Sequence, residues 1–197
     1  IATSVAFQIL RQIGAGASEP VVRRGIDYLL ATYDASAQVW PIIPAAADTM
    51  PRAPWWDYAK SAEGFSGFKA NPRAELVGYL LDYAELVDAP LLAAVLDDTL
   101  QHLDGLPSAV EMHDFNCYRR LADTRSLAPD LKQRIWDKLS QAAGQIVDRD
   151  TAKWAGYAVR PLGLAPVPGM PVADALGDEL LGLNLDYEIQ HQNEDGS

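Results

Sequence analysis

Apolar residues recur at helical spacing along most of the chain. In the first third, Val5, Ile9 and Ile13 mark one helical face that stops at Gly14, and a second run opens at Pro20. Recurrence every three to four residues is typical of an amphipathic helix, and glycine and proline mark its ends. We therefore predict two helices before residue 34, joined by a short turn.

Four further helices are predicted from a repeated start signal, a proline placed where the first helical turn tolerates it. They begin near Pro72, Pro90, Pro107 and Pro129, and they run to about Val87, Leu103, Ala122 and Val147. The short joints between these helices predict antiparallel neighbours. A last helix is predicted from about Val172 to Gln192.

Two long segments, 34–71 and 148–171, lack this periodicity. They are rich in proline and in aromatic side chains, namely Trp40, Trp55, Trp56, Tyr58, Phe65, Phe68, Trp154 and Tyr157. Loops of this length are usually functional or disordered, and the aromatic content favours the first. Because no segment alternates like a strand, we predict an all-α domain over residues 1–197, with antiparallel helix pairs stacked as a toroid or solenoid.

Charge and cysteine content narrow the classes of partner. The formal net charge of −11 opposes binding to nucleic acid and to anionic lipid, and no apolar run is long enough to span a membrane. The single cysteine, Cys117, fits a reducing compartment, so a cytoplasmic location is expected. The chain opens at Ile1 without a methionine, which leaves open a removed upstream segment.

Two segments resemble the QW repeat of squalene and hopene cyclases. The first is Arg24-Gly25-Ile26-Asp27-Tyr28-Leu29 with Tyr33 and Gln38-Val39-Trp40, where Tyr33 stands for the usual Gln and Gln38 for the usual Gly. The second runs from Leu183 to Ser197, keeps both residues, and ends where the Trp would follow. The chain is thus predicted to be truncated within a repeat. Trp55-Trp56-Asp57 and Trp154-Ala155-Gly156-Tyr157 also look like segments of bacterial members of this superfamily.

The resemblance implies a partial (α/α) toroid of the prenyltransferase and squalene cyclase superfamily, with an apolar, isoprenoid ligand near its axis. The chain lacks the Asp-x-Asp-Asp signature with which such cyclases protonate an olefin. Its nearest acidic cluster, Asp97-Asp98, is interpreted as a solvated helix face. Whether the protein is an enzyme therefore stays open.

Zinc-dependent prenyltransferases of the superfamily use Asp, Cys and His as ligands, which makes His113 and Cys117 weak metal candidates. They are four residues apart and share a helix face, but Asp114 points roughly 100° away from His113. We prefer a half-buried histidine above a small core cysteine. With no phosphate-binding glycine loop either, no cofactor is expected.

The aromatic loops supply the remaining candidates. Trp55, Trp56, Tyr58, Trp154 and Tyr157 are predicted to bind an apolar ligand, or alternatively to anchor the loops on the helices. Asp57 is the catalytic candidate, since two neighbouring tryptophans would desolvate it and raise its pKa; the alternative is a helix-capping or surface aspartate. The predicted function is binding or transforming an apolar, isoprenoid small molecule. The alternative is a non-catalytic helical scaffold for protein interaction.

Overall fold

The structure, a computed structural model, describes residues 2–65 and 69–194. Within these residues the chain is all-helical, and the one strand-like feature is an isolated bridge between Asp34 and Val39. The helices are α1 (Ala2–Gln12), α2 (Pro20–Thr32), α3 (Tyr58–Phe65), α4 (Ala70–Asp82), α5 (Ala89–Gly105), α6 (Met112–Ala122), α7 (Pro129–Ile146), α8 (Pro161–Leu164), α9 (Pro171–Leu176) and α10 (Asp178–His191). The predicted all-helical class is confirmed, and no described helix could cross a membrane.

The central helix is α4, which is buried along most of its length. Its sequence has almost no polar face, so it needs neighbours on all sides, and it packs against α6 most extensively and against α1 and α5 as well. The hydrophobic core is one cluster that extends from Phe7 in α1 to Leu180 in α10. This arrangement brings α1 and α6 together at one face of α4.

Two predicted helix boundaries are wrong because side-chain caps and backbone angles decide them. Helix α6 begins at Met112 and not near Pro107, since the Glu111 carboxylate accepts hydrogen bonds from the backbone N–H groups of His113 and Asp114 at 2.7 and 3.2 Å. The predicted last helix is divided by Gly177, whose φ of +83° interrupts the helical path.

Helix α3 lies inside a segment predicted to be irregular. The carboxylate of Asp48, ten residues upstream, accepts the backbone N–H of Tyr58 at 2.7 Å and that of Ala59 at 3.1 Å. These bonds satisfy donors that every helix start leaves unpaired. A cap from such a distance gives no local sequence signal.

The predicted helix ending near Val87 is shorter in the structure, where α4 ends at Asp82 and a single 3-10 turn follows at Ala84–Leu86. The interpretation of Asp97-Asp98 as a solvated face is also wrong for Asp98. Its carboxylate pairs with the guanidinium of Arg73, which is only 1% exposed. Buried charges are almost always paired in this way.

The first QW-like segment places Trp40 against the end of α2. Its indole N–H donates to the Leu29 carbonyl at 2.7 Å, and its ring lies 4.6 Å from that of Tyr33. This contact satisfies a carbonyl near a helix C-terminus and covers it with apolar area. Phe68 and the end of the second segment, from Asp195, lie outside the described residues.

Candidate ligand-binding cavity

A cavity of about 590 Å³ lies where α1, α4 and α6 meet. We call it the Glu75 cavity. Its lining consists of Ser4, Val5, Gln8, Ile42, Trp55, Trp56, Phe65, Asn71, Pro72, Glu75, His113, Asn116, Cys117, Arg120 and Tyr157. The volume falls in the range of small-molecule sites, which combine apolar walls with a few polar groups.

Helical spacing explains why the polar residues meet. His113 precedes Asn116 and Cys117 by three and four residues in α6, and Arg120 follows them by four and three, so the four residues form one stripe on its surface. Ser4 and Gln8 are likewise four residues apart on α1. Packing α6 and α1 against α4 turns these stripes toward the cavity.

One wall of the cavity contains a buried ion pair. Glu75 is 3% exposed, and its Oε2 lies 2.8 Å from Nη1 of Arg120. The amide of Gln8 donates to the same oxygen at 3.5 Å. An isolated carboxylate would be costly at this depth, and these two partners from α6 and α1 make its burial tolerable.

The opposite wall is aromatic. Trp56 and Phe65 stack with their ring centroids 6.1 Å apart, whereas Trp55 remains 63% exposed. Tyr157 is 86% exposed, and its hydroxyl lies 2.6 Å from Nε2 of His113. This hydrogen bond ties the loop after α7 to α6 beside the cavity.

Cys117 is confirmed as a buried thiol, 3% exposed, with Sγ 3.7 Å from Oδ1 of Asn71. Burial raises the pKa of the thiol far above its usual range, and the negative charge of Glu75 adds to this effect. The sulfur therefore stays protonated at neutral pH, which makes it a poor nucleophile. In residues 2–65 and 69–194 no three His, Cys, Asp or Glu side chains are placed to hold a metal ion together.

Asp114, beside His113 on α6, has an altered acidity. Burial, with a smaller contribution from the neighbouring Glu111 carboxylate, raises the pKa of its carboxyl to about 6. A backbone N–H of Asn71 and the charge of His113 act in the opposite direction. The carboxyl thus changes charge near neutral pH although it does not line the cavity.

The structure separates the predicted ligand-binding residues into two groups. Trp55, Trp56 and Tyr157 line the Glu75 cavity together with the two weak metal candidates. Tyr58 lines a smaller cavity of about 230 Å³ instead. Trp154 is 1% exposed, donates its indole N–H to the Asp148 carbonyl at 2.8 Å, and meets Tyr187 edge to face, so it anchors its loop.

Asp57 does not line the Glu75 cavity, and the expectation of a raised pKa is wrong. Desolvation raises the pKa of this carboxyl, but the hydrogen bond from Arg52 at 3.0 Å and the charge of Lys60 lower it below its usual value. Its Oδ1 accepts the backbone N–H of Lys60 at 3.2 Å, at the start of α3. The geometry matches the helix-capping alternative.

Sequence reasoning missed Glu75 and Arg120, the two charged residues of the cavity. A signal for Glu75 was present, because it lies within the run Ala74–Leu80, whose other members are apolar or glycine. A charge in a helix without a polar face implies a buried partner. The identity of that partner depends on which helix packs there, and the local pattern does not contain it.

Comparisons with known proteins add no relative. No protein family, curated protein or solved structure matches the chain. The resemblance to squalene and hopene cyclases accordingly stays a prediction. What the protein does has to follow from the chemistry of the Glu75 cavity.

Proposed function

We propose that the protein binds an apolar small molecule with a hydrogen-bonding group in the Glu75 cavity. The observation that carries this proposal is that the cavity lining combines aromatic rings with an ion pair whose carboxylate is buried. Trp55, Trp56, Phe65 and Tyr157 form the first, and Glu75 with Arg120 forms the second. Such a site buries the body of a ligand and orients it through few polar contacts.

Two kinds of interaction contribute to binding in this cavity. The aromatic rings offer apolar surface to the ligand. Burying this surface contributes about 25 cal/mol per Å² to binding, but it does not fix the orientation of the ligand. The ion pair gives direction, because a ligand that covers it without hydrogen-bonding to it leaves buried charged groups poorly solvated. Isoprenoid alcohols, the class implied by the resemblance, combine both features. The partial (α/α) toroid that the resemblance implies is likewise part of what we propose.

Binding is favoured over chemistry for this cavity. The Cys117 thiol is protonated, so it does not supply a nucleophile. The lowered pKa of Asp57 keeps this carboxyl ionised at neutral pH, and it lies outside the cavity lining. The aromatic wall therefore acts by shape and area rather than by stabilising a reacting cation.

Calorimetric titration with farnesol and 1-decanol tests the proposal. We expect Trp56→Ala to weaken binding about tenfold, since it removes one ring of the stacked pair from the wall. Asp57→Asn is the matched control, because it alters the adjacent residue outside the cavity, and it should bind as the wild type does. Melting temperatures verify that both variants are folded. Equal affinities for wild type and Trp56→Ala would contradict the proposal.

A second candidate function, the non-catalytic scaffold, is favoured by apolar residues on the outer faces of the two terminal helices. Ile9 on α1 and Ile13 directly after it are 53% and 70% exposed, and Leu185 and Ile189 on α10 are 51% and 63% exposed. Each pair is spaced at i, i+4 and so forms a stripe. Exposed apolar stripes of this kind mark interaction surfaces.

A second copy of the chain is the partner that this candidate commits to. Helix α10 carries exposed Asp178, Glu179 and Asp186, while the exposed charged residues of α2, which packs beside α1, are Arg23, Arg24 and Asp27, with a net positive charge. Opposite charges at the two ends favour head-to-tail contact over contact between like ends.

Two blocked variants test head-to-tail association. We call the outer face of α1 the head and the outer face of α10 the tail. Ile9→Asp disrupts the head and Ile189→Asp disrupts the tail, so each variant alone should remain monomeric in sedimentation velocity. An equimolar mixture should form a 1:1 dimer, because one intact head and one intact tail remain. A wild type that stays monomeric at every concentration contradicts the scaffold candidate and leaves ligand binding unaffected.

A further inference from the structure

A second cavity adjoins the Glu75 cavity. It measures about 230 Å³, and its lining consists of Thr3, Ser4, Tyr28, Leu29, Thr32, Trp40, Pro41, Ile42, Pro44, Pro72 and Leu76. We call it the Trp40 cavity. Ser4, Ile42 and Pro72 line both cavities, so the two spaces meet at these residues.

The chemistry of the Trp40 cavity is opposite to that of its neighbour. Among the described residues no charged side chain lines it, whereas the Glu75 cavity contains Glu75 and Arg120. Two of its polar groups are engaged within the protein. The Trp40 indole N–H donates to the Leu29 carbonyl at 2.7 Å, and the Thr32 hydroxyl donates to the Tyr28 carbonyl at 2.8 Å. The cavity consequently presents mostly apolar surface.

We infer that the ligand is a single-chain amphiphile with an uncharged polar head, which binds in the Glu75 cavity and extends its hydrocarbon chain past Ser4 into the Trp40 cavity. This inference rests on the proposed function, because it assigns the ligand of the same site. A hydrocarbon chain fits the Trp40 cavity because the apolar lining of the cavity makes favourable contact with the whole length of the chain.

The uncharged head follows from the charges of the Glu75 cavity. Glu75 and Arg120 neutralise each other at 2.8 Å, so the lining has no net charge to attract an ionic head. A carboxylate head would face Glu75, and an ammonium head would face Arg120, at a cost in either case. A hydroxyl both donates and accepts, and it can satisfy both members of the pair.

Calorimetry with 1-hexanol, 1-octanol, 1-decanol and 1-dodecanol tests the inference. For wild-type protein we expect affinity to rise about fourfold for each added methylene until the Trp40 cavity is filled. Leu76→Phe and Thr32→Phe each fill part of this cavity and should abolish the gain for the longer alcohols. Thr32→Phe changes a partly exposed position at the end of α2, so it provides a folded variant if Leu76→Phe is unstable. Decanoate and decylammonium should bind more weakly than 1-decanol.

The outcomes separate this inference from the proposed function. If both filled variants show the chain-length profile of the wild type, the chain does not enter the Trp40 cavity and the inference is wrong. Tighter binding of either charged probe would overturn the uncharged head. In both cases the proposed function stands as long as 1-hexanol binds and Trp56→Ala weakens that binding. If no alcohol binds, both fail together.

Discussion

Glu75 shows how one side chain changes the character of a helix. Its neighbours in α4 are buried and apolar, and a carboxylate among them would cost several kcal/mol without partners. Arg120 and Gln8 supply these partners from two other helices. Removing Arg120 would therefore leave a buried charge, whereas an apolar pair of equal volume would not. The ion pair contributes direction to the cavity more than it contributes stability.

At the same scale, Asp114→Asn should stabilise the protein at high pH. The pKa of Asp114 is about 6 in the folded chain and near its usual value of about 3.9 when unfolded. The stability that Asp114 contributes is fully present at pH values below its pKa in the unfolded chain. It is lost as the pH rises through about 6, the pKa in the folded chain. We expect the variant to exceed the wild type by about 1 kcal/mol at pH 8, after allowing for partial exposure, and to match it at pH 4.

Asp57→Asn is the control for this pH dependence, and its trend has the opposite sign. The lowered pKa of Asp57 contributes stability above the unfolded value that is lost as pH falls. The variant should thus be less stable than the wild type at pH 7, with the difference shrinking in acid. Urea unfolding between pH 4 and 8 measures both series. A difference for Asp114→Asn that does not vary with pH would contradict the assignment.

Among the elements, the close contact of α4 with α6 depends on a glycine in α4, Gly78, which has no side chain. A Cβ atom built on Gly78 would lie 2.6 Å from Oγ1 of Thr124 and 3.4 Å from Cα of Leu121. The two segments approach this closely only because the position is glycine. Thr124 Oγ1 in turn accepts a hydrogen bond from Arg11 of α1 at 3.1 Å, so the same spot joins three parts of the fold.

Gly78→Ala should accordingly destabilise the protein by about 1–3 kcal/mol, the usual cost of overpacking. Gly182→Ala is the matched control, since it lies within α10 and its Cβ would meet nothing within 4 Å. Helix propensity alone then operates there, and we expect a gain of up to about 1 kcal/mol. Urea unfolding followed by circular dichroism measures both. Equal effects of the two substitutions would show that α4 and α6 are not in close contact at Gly78.

For the molecule as a whole, the single hydrophobic cluster predicts cooperative unfolding. Trp40 at the α2 end and Trp154 at the α10 end both belong to it. Contacts of α7 with α9, and of α10 with α8 and α9, link the C-terminal helices to the rest. Small domains with one core unfold in an all-or-none transition.

We expect fluorescence and circular dichroism to give the same urea midpoint, in wild type and in Trp40→Phe and Trp154→Phe variants. Each substitution removes one of the five indoles, so the difference in fluorescence between wild type and variant isolates the signal from that end of the molecule. Both variants lose an indole hydrogen bond and should have lower midpoints than the wild type. Separate midpoints for fluorescence and circular dichroism within either variant would indicate that the two ends unfold independently.

Local pattern was sufficient for the all-helical class and for the approximate position of most helices, because periodicity and proline placement act through neighbours in the chain. It also singled out Trp55, Trp56 and Tyr157, since aromatic residues in long irregular segments need a packing partner or a ligand. Their meeting in one cavity was decided by tertiary structure. Segments more than 100 residues apart converge there only through the packing of α1, α4 and α6.

Tertiary structure also decided the acidity and burial of the carboxylates. Asp57 and Glu75 are both carboxylates next to apolar residues in the sequence, yet one caps a helix beside Arg52 and the other is buried against Arg120. The acidity and burial of such a group depend on the dielectric and the charges within a few ångström. Those surroundings come from residues distant in the chain, so tertiary structure alone assigns the roles of these side chains.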